Sequence, residues 1–235
     1  MDDKVVLYRG YWWQKKDGSD EVTSESAPED STCSLILNTL MDVPALVSNF
    51  VVEKKVVLQA GGNCGMFPIK YAELFEIVYT FEPDPVLFHC LSKNVTSPNI
   101  IKFQAALGNI RNLVSTTNYM ACAGGTHIGS LQGIIPTLLI DDLNLPRLDL
   151  IHLDIEGYEY NALRGGVDTI KRCKPIICIE FCDPWLYRYS TNLSQIENFL
   201  SLLSYEYVGE VKGDRVYKYI SQQMRPIRLS FLRNK

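Results

Sequence analysis

Apolar and polar residues alternate along this chain in blocks that switch between strand-like and helix-like spacing. From Lys55 onward, short apolar runs of strand length are each followed by an amphipathic run with helical spacing. The predicted strands are "KVVLQA", "EIVYTF", "NIIKFQAAL", "LDLIHLD" and "KPIICIEF". The predicted helices between them are "GMFPIKYAELF", "DPVLFHCLSKNV" and "YEYNALRGGVDTIKRC". This alternation predicts a mostly parallel sheet with helices on both faces.

Both ends of the chain depart from the alternation. "YEYVGEV" and "RVYKYI" flank the turn "KGD" after the helix "LSQIENFLSLL", so the sheet should end in an antiparallel hairpin. Near the start, the aromatic "VVLYRGYWW" should pack as an edge strand or form part of a substrate lip. An acidic loop, Asp17–Ser31, follows, and helical spacing begins after Thr32. We expect an N-terminal arm and helix packing on the core over residues 1–50, a domain over 51–222 and a basic tail over 223–235.

The stretch "AGGNCG" after the first predicted strand has an unusually bare backbone, with Gly61, Gly62 and Gly65. Glycines at a strand end that precedes a helix let the backbone approach a ligand, and the helix start offers unpaired N–H groups. Glu82 ends the second predicted strand, where a carboxylate can accept both ribose hydroxyls of an adenosine. Together these features predict a nucleotide-like cofactor; the alternative is a tight turn with no ligand.

Two cofactor classes fit a glycine loop followed by an acidic residue, namely NAD(P) and S-adenosylmethionine. The spacing of Gly61 and Gly65 lacks the Gly-x-Gly-x-x-Gly register that seats a pyrophosphate on a helix N-terminus. A terminal antiparallel hairpin is also not expected of a plain dinucleotide fold. Both points favour S-adenosylmethionine.

Composition and charge narrow the class of protein further. The chain has 235 residues, of which 46% are hydrophobic and 21% charged, as in a globular protein. The net charge of -4 gives no general attraction to nucleic acid, and none is expected as a partner. No apolar run is long enough to span a bilayer, and the start "MDDKVV" is unlike a secretory signal, so we expect a cytoplasmic protein. The seven cysteines contain no CxxC pair and read as free thiols.

Six segments, in order and spacing, resemble the FkbM family of S-adenosylmethionine-dependent methyltransferases. They are "LQAGGNCGMF", "YTFEPDPVLFHCLSKNV", "FQAALG", "TLLIDDL", "LDLIHLDIEGYEYNALRGGVDTI" and "KPIICIEF". The resemblance implies a class I methyltransferase (Rossmann-like) fold with a seven-stranded sheet, and O-methylation of a hydroxyl on a sugar or natural product-like small molecule. It implies that Gly61, Asn63 and Gly65 contact the methionine part of the cofactor, Glu82 the ribose and Ala106 the adenine. It also implies that "DIEG", from Asp154, faces the reacting centre.

The chain departs from the family pattern at several positions. Gln59 stands where the family's glycine loop usually begins with an acid, and it can still accept a hydrogen bond from the cofactor's ammonium group. Gly62 replaces a usual alanine, and His152 replaces a frequent lysine. The stretch from Gly108 to Gly133 corresponds to a variable insert, where His127 and Ser130 are candidates for acceptor recognition.

Methyl transfer to a hydroxyl needs a base that removes the proton as the new bond forms. His152 and Asp154 are two positions apart at the end of a predicted strand, and Glu156 follows at the edge where open α/β sheets bind ligands. We therefore predict His152, Asp154 and Glu156 as catalytic residues. His152 leads as the base, with a core histidine as the alternative. Glu159 fits a helix cap better than catalysis.

Asp154, Glu156 and Asp183 could hold a hard cation, but no spaced ligand motif supports a metal site, and none is predicted. A small-molecule or glycan acceptor is expected as the partner. Two other functions remain open at the level of sequence. One is a protein that binds the cofactor without turnover, and the other is an NAD-dependent oxidoreductase.

Overall fold

The computed structural model describes residues 1–15, 33, 36–118 and 125–221. The predicted acidic loop, the predicted helix start at Thr32 and the predicted basic tail over 223–235 lie outside the described residues.

The described strands, in chain order, are β1 (Val5–Tyr8), β2 (Tyr11–Gln14), β3 (Val56–Ala60), β4 (Ile77–Phe81), β5 (Ile100–Phe103), β6 (Ala106–Leu107), β7 (Leu113–Asn118), β8 (Thr126–Leu138), β9 (Leu150–Leu153), β10 (Ile176–Ile179), β11 (Tyr205–Val211) and β12 (Asp214–Tyr219). The described α-helices are α1 (Val43–Ser48), α2 (Met66–Ala72), α3 (Pro85–Asn94), α4 (Glu159–Arg164), α5 (Val167–Cys173), α6 (Asp183–Arg188) and α7 (Leu193–Leu202). A π-helical turn, Ile36–Leu40, precedes α1, and a 3-10 helix, Ile140–Leu143, precedes β9.

The central sheet has seven strands in the order β11-β12-β10-β9-β3-β4-β5. Strands β3, β4, β5, β9 and β10 run parallel, whereas β12 is antiparallel to both β10 and β11. The sheet therefore confirms the predicted class I methyltransferase fold with a terminal antiparallel hairpin. The chain leaves β3 towards β4 on one side and returns to β9 on the other. Open α/β sheets bind ligands where the strand order reverses in this way.

Helices cover both faces of the central sheet because successive strand residues point to opposite sides. Leu58, Ile151 and Ile179 belong to a cluster that includes buried residues of α4, α5 and α7. Val57 and Val78 belong to a second cluster, which includes residues of α1, α2 and α3. Full burial of one such side chain contributes about 1.5–3 kcal/mol, so these two clusters hold the sheet.

The predicted third strand is wrong at its C-terminal half. It ends at Phe103, and Ala106–Leu107 instead pairs with β8 in a separate three-stranded sheet, β6-β8-β7. The sequence did not reveal β7 and β8, because "THIGSLQGIIPTL" contains two glycines and a proline that obscure alternation. Gly133 is required there, since a Cβ atom would lie 2.0 Å from the carbonyl oxygen of Val114 on the paired strand.

The long helix predicted over Tyr158–Cys173 is two helices, α4 and α5, that meet at Gly165 and Gly166. A Cβ atom on Gly165 would lie 1.9 Å from the carbonyl oxygen of Gly108, so the chain packs too tightly here for any side chain. The short helix α6 after β10 was also not predicted. Its first turn contains a proline, and its six residues are too few to show a helical period.

The N-terminal aromatic segment forms its own hairpin, β1-β2, and is not an edge strand of the central sheet. Trp13 is fully buried in a cluster with Cys64 and Cys90. The Asn94 side chain accepts a hydrogen bond from the Trp12 amide at 2.7 Å and donates to the Cys64 carbonyl at 2.7 Å. The arm is thus fastened to α3 and to the glycine loop. The described cysteines are free thiols, as predicted.

Trp13→Ala should therefore lower the free energy of unfolding by about 3–5 kcal/mol, because it leaves a large cavity between the hairpin and α3. Chemical denaturation followed by circular dichroism measures the loss. Trp12→Ala is the matched control, because Trp12 is only partly buried and its ring contacts Lys93 at the surface. Equally small losses in both variants would show that the arm does not stabilise the core.

Candidate active site

The first positions of the glycine loop carry no side chain because the neighbouring backbone and side chains leave no room for a Cβ atom. The amides of Gly61 and Gly62 both donate to the carbonyl oxygen of Phe81, at 3.1 and 2.8 Å. Gly61 has φ +84°, and a Cβ atom there would lie 1.8 Å from the carbonyl oxygen of Asp154. A Cβ atom on Gly62 would lie 2.5 Å from Leu91. The first two glycines thus let the ends of β3, β4 and β9 meet.

A cavity of about 250 Å³ opens beyond the carboxyl ends of these strands. The residues of the predicted cofactor site that line it are Gly61, Gly62, Asn63, Glu82, Ala106 and Asp154. Gly65 does not line the cavity. Its φ is +97°, and a Cβ atom on it would lie 2.6 Å from Val95, so packing against α3 requires this glycine.

Glu82 is almost fully buried on the cavity wall. Its carboxylate accepts hydrogen bonds from the amide of Asn63 at 2.7 Å and from the amide of Asp84 at 2.8 Å. Burial raises the pKa of Glu82 to about 8, although these two hydrogen bonds oppose the rise. The carboxylate retains lone pairs for further donors, so it can both hold the loop and accept hydroxyl groups of a ligand.

Gln59 does not lie on the cavity, in contrast to the sequence prediction. Its side chain is fully buried and donates to the carbonyl oxygens of Ala60 and Gly61, at 3.1 and 2.8 Å. Its amide oxygen accepts from the hydroxyl of Thr80 at 2.7 Å. These partners are the end of β3, the first residue of the glycine loop and a side chain of β4, so Gln59 holds the start of the loop and its side chain does not reach the cavity.

His152 is also placed away from the cavity, which disagrees with its predicted role as the base. The ring is fully buried on the face covered by α2, where it stacks on Phe67 with centroids 5.5 Å apart. Nδ1 lies 2.7 Å from the hydroxyl of Tyr71, and Nε2 lies 3.1 Å from Asp214. Burial alone lowers the pKa of His152, but its polar neighbours, including the Asp214 carboxylate, raise it overall. The geometry favours the core-histidine alternative.

Three carboxylates converge at the cavity wall. One oxygen each of Asp154, Glu156 and Glu180 lies within 4.8 Å of the others, and all three residues line the cavity. Asp154 and Glu180 are close enough for each to disfavour ionisation of the other. Burial raises the pKa of Asp154 and that of Glu180, and the surrounding negative charges raise the latter further.

Glu156 is the strained member of this cluster. Its φ is +59°, a left-handed conformation that is rare for residues other than glycine and that clusters at functional sites. Burial raises the pKa of Glu156 to about 8, and the charges of Asp154 and Glu159 add to the rise. A carboxylate with a pKa near neutrality is suited to accept and release a proton.

Glu159 holds the turn that carries Glu156. One oxygen of its buried carboxylate accepts from the amides of Ile155 and Gly157, at 3.0 and 3.2 Å. The sequence favoured a cap on the following helix over catalysis for Glu159, but its carboxylate instead bonds to amides in the turn that precedes α4. Asp183, which the sequence considered with Asp154 and Glu156 for a cation, is exposed at the start of α6, and Glu180 is the third carboxylate of the cluster instead. The three carboxylates are hard ligands, but a cluster of acids alone does not define a metal site.

The sequence missed the residues that close the cavity on the other side. Ile36 and Leu40 come from the π-helical turn, Thr126 and Ile128 from β8, and Tyr158 from the turn before α4. The Thr126 hydroxyl is buried and has no hydrogen-bond partner among the described residues, which fits a polar ligand in the cavity. No spacing rule joins these distant segments.

The two candidates within the variable insert have different positions. His127 lines the cavity, and its Nδ1 lies 3.0 Å from the carbonyl oxygen of Gly125. Burial lowers the pKa of His127, and the charge of Arg188 lowers it further. Ser130 is exposed, does not line the cavity and accepts a hydrogen bond from the amide of Gln132. His127 therefore remains a candidate for acceptor contact, whereas Ser130 does not.

The fold is of the class I methyltransferase type, and comparison with known proteins identifies the family. The model of the Methyltransferase FkbM domain matches residues 59–207, more than half of the chain. The chain belongs to this family, which confirms the resemblance found in the sequence. The match also supports S-adenosylmethionine as the cofactor of the cavity.

Individual relatives are more distant. The hexuronic acid methyltransferase AglP of Haloferax volcanii is 26% identical over 144 residues, which cover 58% of this chain and 60% of that protein. The methyltransferase FkbM structure from Methylobacillus flagellatus has a TM-score of 0.49 at 20% identity and covers 71% of this chain and 44% of its own. A TehB-like methyltransferase from Corynebacterium glutamicum also has a TM-score of 0.49, at 12% identity, and the match covers 80% of this chain and 94% of that protein.

The chain thus spans less than two thirds of the length of AglP and less than half of the Methylobacillus protein. Across the part of the chain that the structure describes, no helix is both long enough and apolar enough to cross a membrane.

Glu82→Gln should weaken the binding of S-adenosylmethionine about tenfold to a hundredfold, because the amide keeps the shape but loses a charged acceptor worth about 1.5–3 kcal/mol. Isothermal titration calorimetry on the folded variant measures the change. Glu76→Gln is the control, because Glu76 is exposed and pairs with Lys55 outside the cavity. Unchanged affinity in Glu82→Gln would remove Glu82 from the cofactor site. Substitutions of the loop glycines are unsuitable, because they would disturb packing first.

His152→Ala should lower the free energy of unfolding by about 3–5 kcal/mol, because it leaves Tyr71 and Asp214 without their buried partner. Turnover per folded molecule should stay within about twofold of the parent, whereas loss of a general base typically costs about a hundredfold or more. Denaturation and single-turnover assays give the two values. His89→Ala serves as control, since His89 bonds to Asp2 at the surface. A large loss of turnover in a stable His152 variant would restore the histidine as the base.

Proposed function

We propose that this chain transfers a methyl group from S-adenosylmethionine to a hydroxyl oxygen, with a sugar or a related small molecule as the acceptor. One observation carries the proposal. The glycine loop with Glu82, and the strained carboxylate Glu156 with its raised pKa, line the same cavity at the reversal point of the sheet. A cofactor site and a proton acceptor are thereby joined in one enclosure, as methyl transfer to an alcohol requires.

Asn63, Glu82 and Ala106 form the cofactor end of the cavity in this proposal. Glu82 accepts the ribose hydroxyls, and Ala106, at the start of β6, contacts the adenine. The buried Thr126 hydroxyl, which lacks a partner among the described residues, gains one from a polar ligand. Asp154 follows β9 and lines the cavity together with the glycine loop and Glu156, so its carboxyl group would help to hold the sulfonium of the cofactor.

Bound S-adenosylmethionine supplies a methyl group that is electrophilic because it is attached to a sulfonium. Transfer to a hydroxyl would leave S-adenosylhomocysteine, with the electron pair of the broken carbon–sulfur bond on sulfur, so the cofactor would supply both the methyl group and the leaving group. The hydroxyl proton passes to a protein base. The protein therefore has to align the acceptor and take up one proton.

Glu156 is the base in this proposal. Asp154 is assigned to placing the cofactor, and burial together with the surrounding negative charges raises the pKa of Glu180 to about 11, so Glu180 is not a base near neutral pH. Both ring nitrogens of His152 already contact Tyr71 and Asp214 on the face of the sheet that α2 covers. Glu156 lines the cavity, and its strained turn is held by Glu159. The acceptor class is supported by AglP, whose name records a hexuronic acid as its substrate.

The family match argues against the oxidoreductase that the sequence left open. The reason to consider binding without turnover was that Gln59 lacks the charge of the usual acid. Because Gln59 does not contact the cavity, the missing charge does not weaken cofactor binding.

Glu156→Gln should lower the rate of methyl transfer about a hundredfold to ten-thousandfold while leaving cofactor affinity near that of the parent. The parent rate should rise with pH through a midpoint near pH 8 and level off above it, because Glu156 is a base only when deprotonated and burial raises its pKa to about 8. The cofactor's positive charge will shift this midpoint downward. Release of S-adenosylhomocysteine, measured against pH with a panel of sugars, tests both effects.

Asp183→Asn is the matched control, because Asp183 is an exposed carboxylate at the start of α6 and does not line the cavity. It should retain the parent rate and pH profile. A Glu156→Gln variant with the parent's rate would exclude Glu156 as the base, and a parent that binds the cofactor but methylates no acceptor in the panel would count against the proposed function.

A further inference from the structure

Arg188 places a positive charge beside the cavity wall. It is the last residue of α6, and it is partly buried. Its Nη1 donates to the carbonyl oxygen of Glu156 at 3.3 Å, and its guanidinium carbon lies 4.9 Å from the ring centroid of Trp185. The neighbouring Tyr189 hydroxyl donates to the Ile128 carbonyl of β8 at 2.8 Å. Arg188 does not itself line the cavity, but its guanidinium lies against the turn of Glu156, which does.

The charges around Arg188 are unbalanced. Within the described ranges, no carboxylate lies within ion-pair distance of its guanidinium. Its charge nevertheless acts on two groups of the cavity wall, lowering the pKa of His127 and opposing the rise in the pKa of Glu156. A partly buried guanidinium has a desolvation cost, and an anion at this position would offset it.

We propose that Arg188 binds an anionic group of the acceptor, a carboxylate or a phosphate, and so selects acidic sugars over neutral ones. The inference rests on the proposed function. A guanidinium offers a planar pair of donors that matches either anion, and stacking on Trp185 holds that plane. Because Arg188 contacts the backbone of Glu156, an anion bound there brings a hydroxyl a few bonds away to the base.

A structural role for Arg188 can be separated from this one by comparison with Arg164. Both arginines end a six-residue helix, and both stack on an aromatic ring, with Arg164 lying 5.7 Å from the centroid of Tyr160. Helix-terminus charge and stacking are therefore common to the two. Only Arg188 contacts a cavity-lining residue, whereas Tyr160 does not line the cavity.

The test measures binding of three sugars to the complex of the full chain with S-adenosylhomocysteine. The probes are D-glucuronate, D-glucose 6-phosphate and neutral D-glucose, and calorimetry gives each affinity. The parent should bind one or both acidic sugars at least tenfold more tightly than glucose. Comparison of the affinities for glucuronate and glucose 6-phosphate shows whether a carboxylate or a phosphate is recognised. Arg188→Ala should abolish this preference, Arg188→Lys should restore part of it, and Arg164→Ala should leave it intact.

Several results would overturn the inference. The first is a parent that does not prefer the acidic sugars, including one that binds none of the three. The second is an equal loss of the preference in Arg164→Ala, and the third is a preference that survives in a folded Arg188→Ala. With any accepted sugar, the Arg188 variants should raise KM for acidic acceptors far more than KM for neutral ones. If S-adenosylhomocysteine itself does not bind, the proposed function fails. If it binds and neutral sugars are methylated without preference, only the inference about Arg188 fails.

Discussion

The close approach of the Gly61 backbone to the carbonyl group of Asp154 is the constraint on which the rest of the site depends. This contact leaves no room for a Cβ atom, so the ends of β3 and β9 can meet only at a glycine. The loop that begins there carries Asn63, whose amide binds Glu82, while the chain that leaves Asp154 turns through Glu156. One steric contact therefore places the glycine loop and the carboxylate cluster next to each other on the cavity wall.

The cavity concentrates carboxyl groups in a small volume, and this determines which ligands it suits. Glu82, Asp154, Glu156 and Glu180 all line it, and burial raises the pKa of each. A cation bound among them favours their ionised forms and so releases protons as it binds. A sulfonium cofactor suits such an enclosure, and Arg188 at the margin gives the opposite charge for the other reactant.

Much of the fold could be predicted from the sequence, because the strands of the parallel sheet are buried on both faces and appear as continuous apolar runs. The glycine loop and Glu82 were recognisable for the same reason, since they directly follow such runs. The sequence could not show that the side chains of His152 and Gln59 are buried away from the cavity. Alternation along a strand tells which residues share a face of the sheet, but not whether that face meets a ligand or a residue such as Tyr71. The β8 wall escaped notice because its glycines break the alternation.

His152 and Asp214 are 62 positions apart in the chain, yet they meet in the middle of the sheet. Asp214 begins β12, and β12 lies between β10 and β11 in the strand order, so the histidine meets its acidic partner only when the terminal hairpin pairs with β10. Tyr71, bound to the other nitrogen of the ring, is thereby linked through the histidine to the last strand of the sheet. Completion of this buried polar centre therefore depends on a long-range contact, and such contacts carry a cost in loop-closure entropy and slow folding.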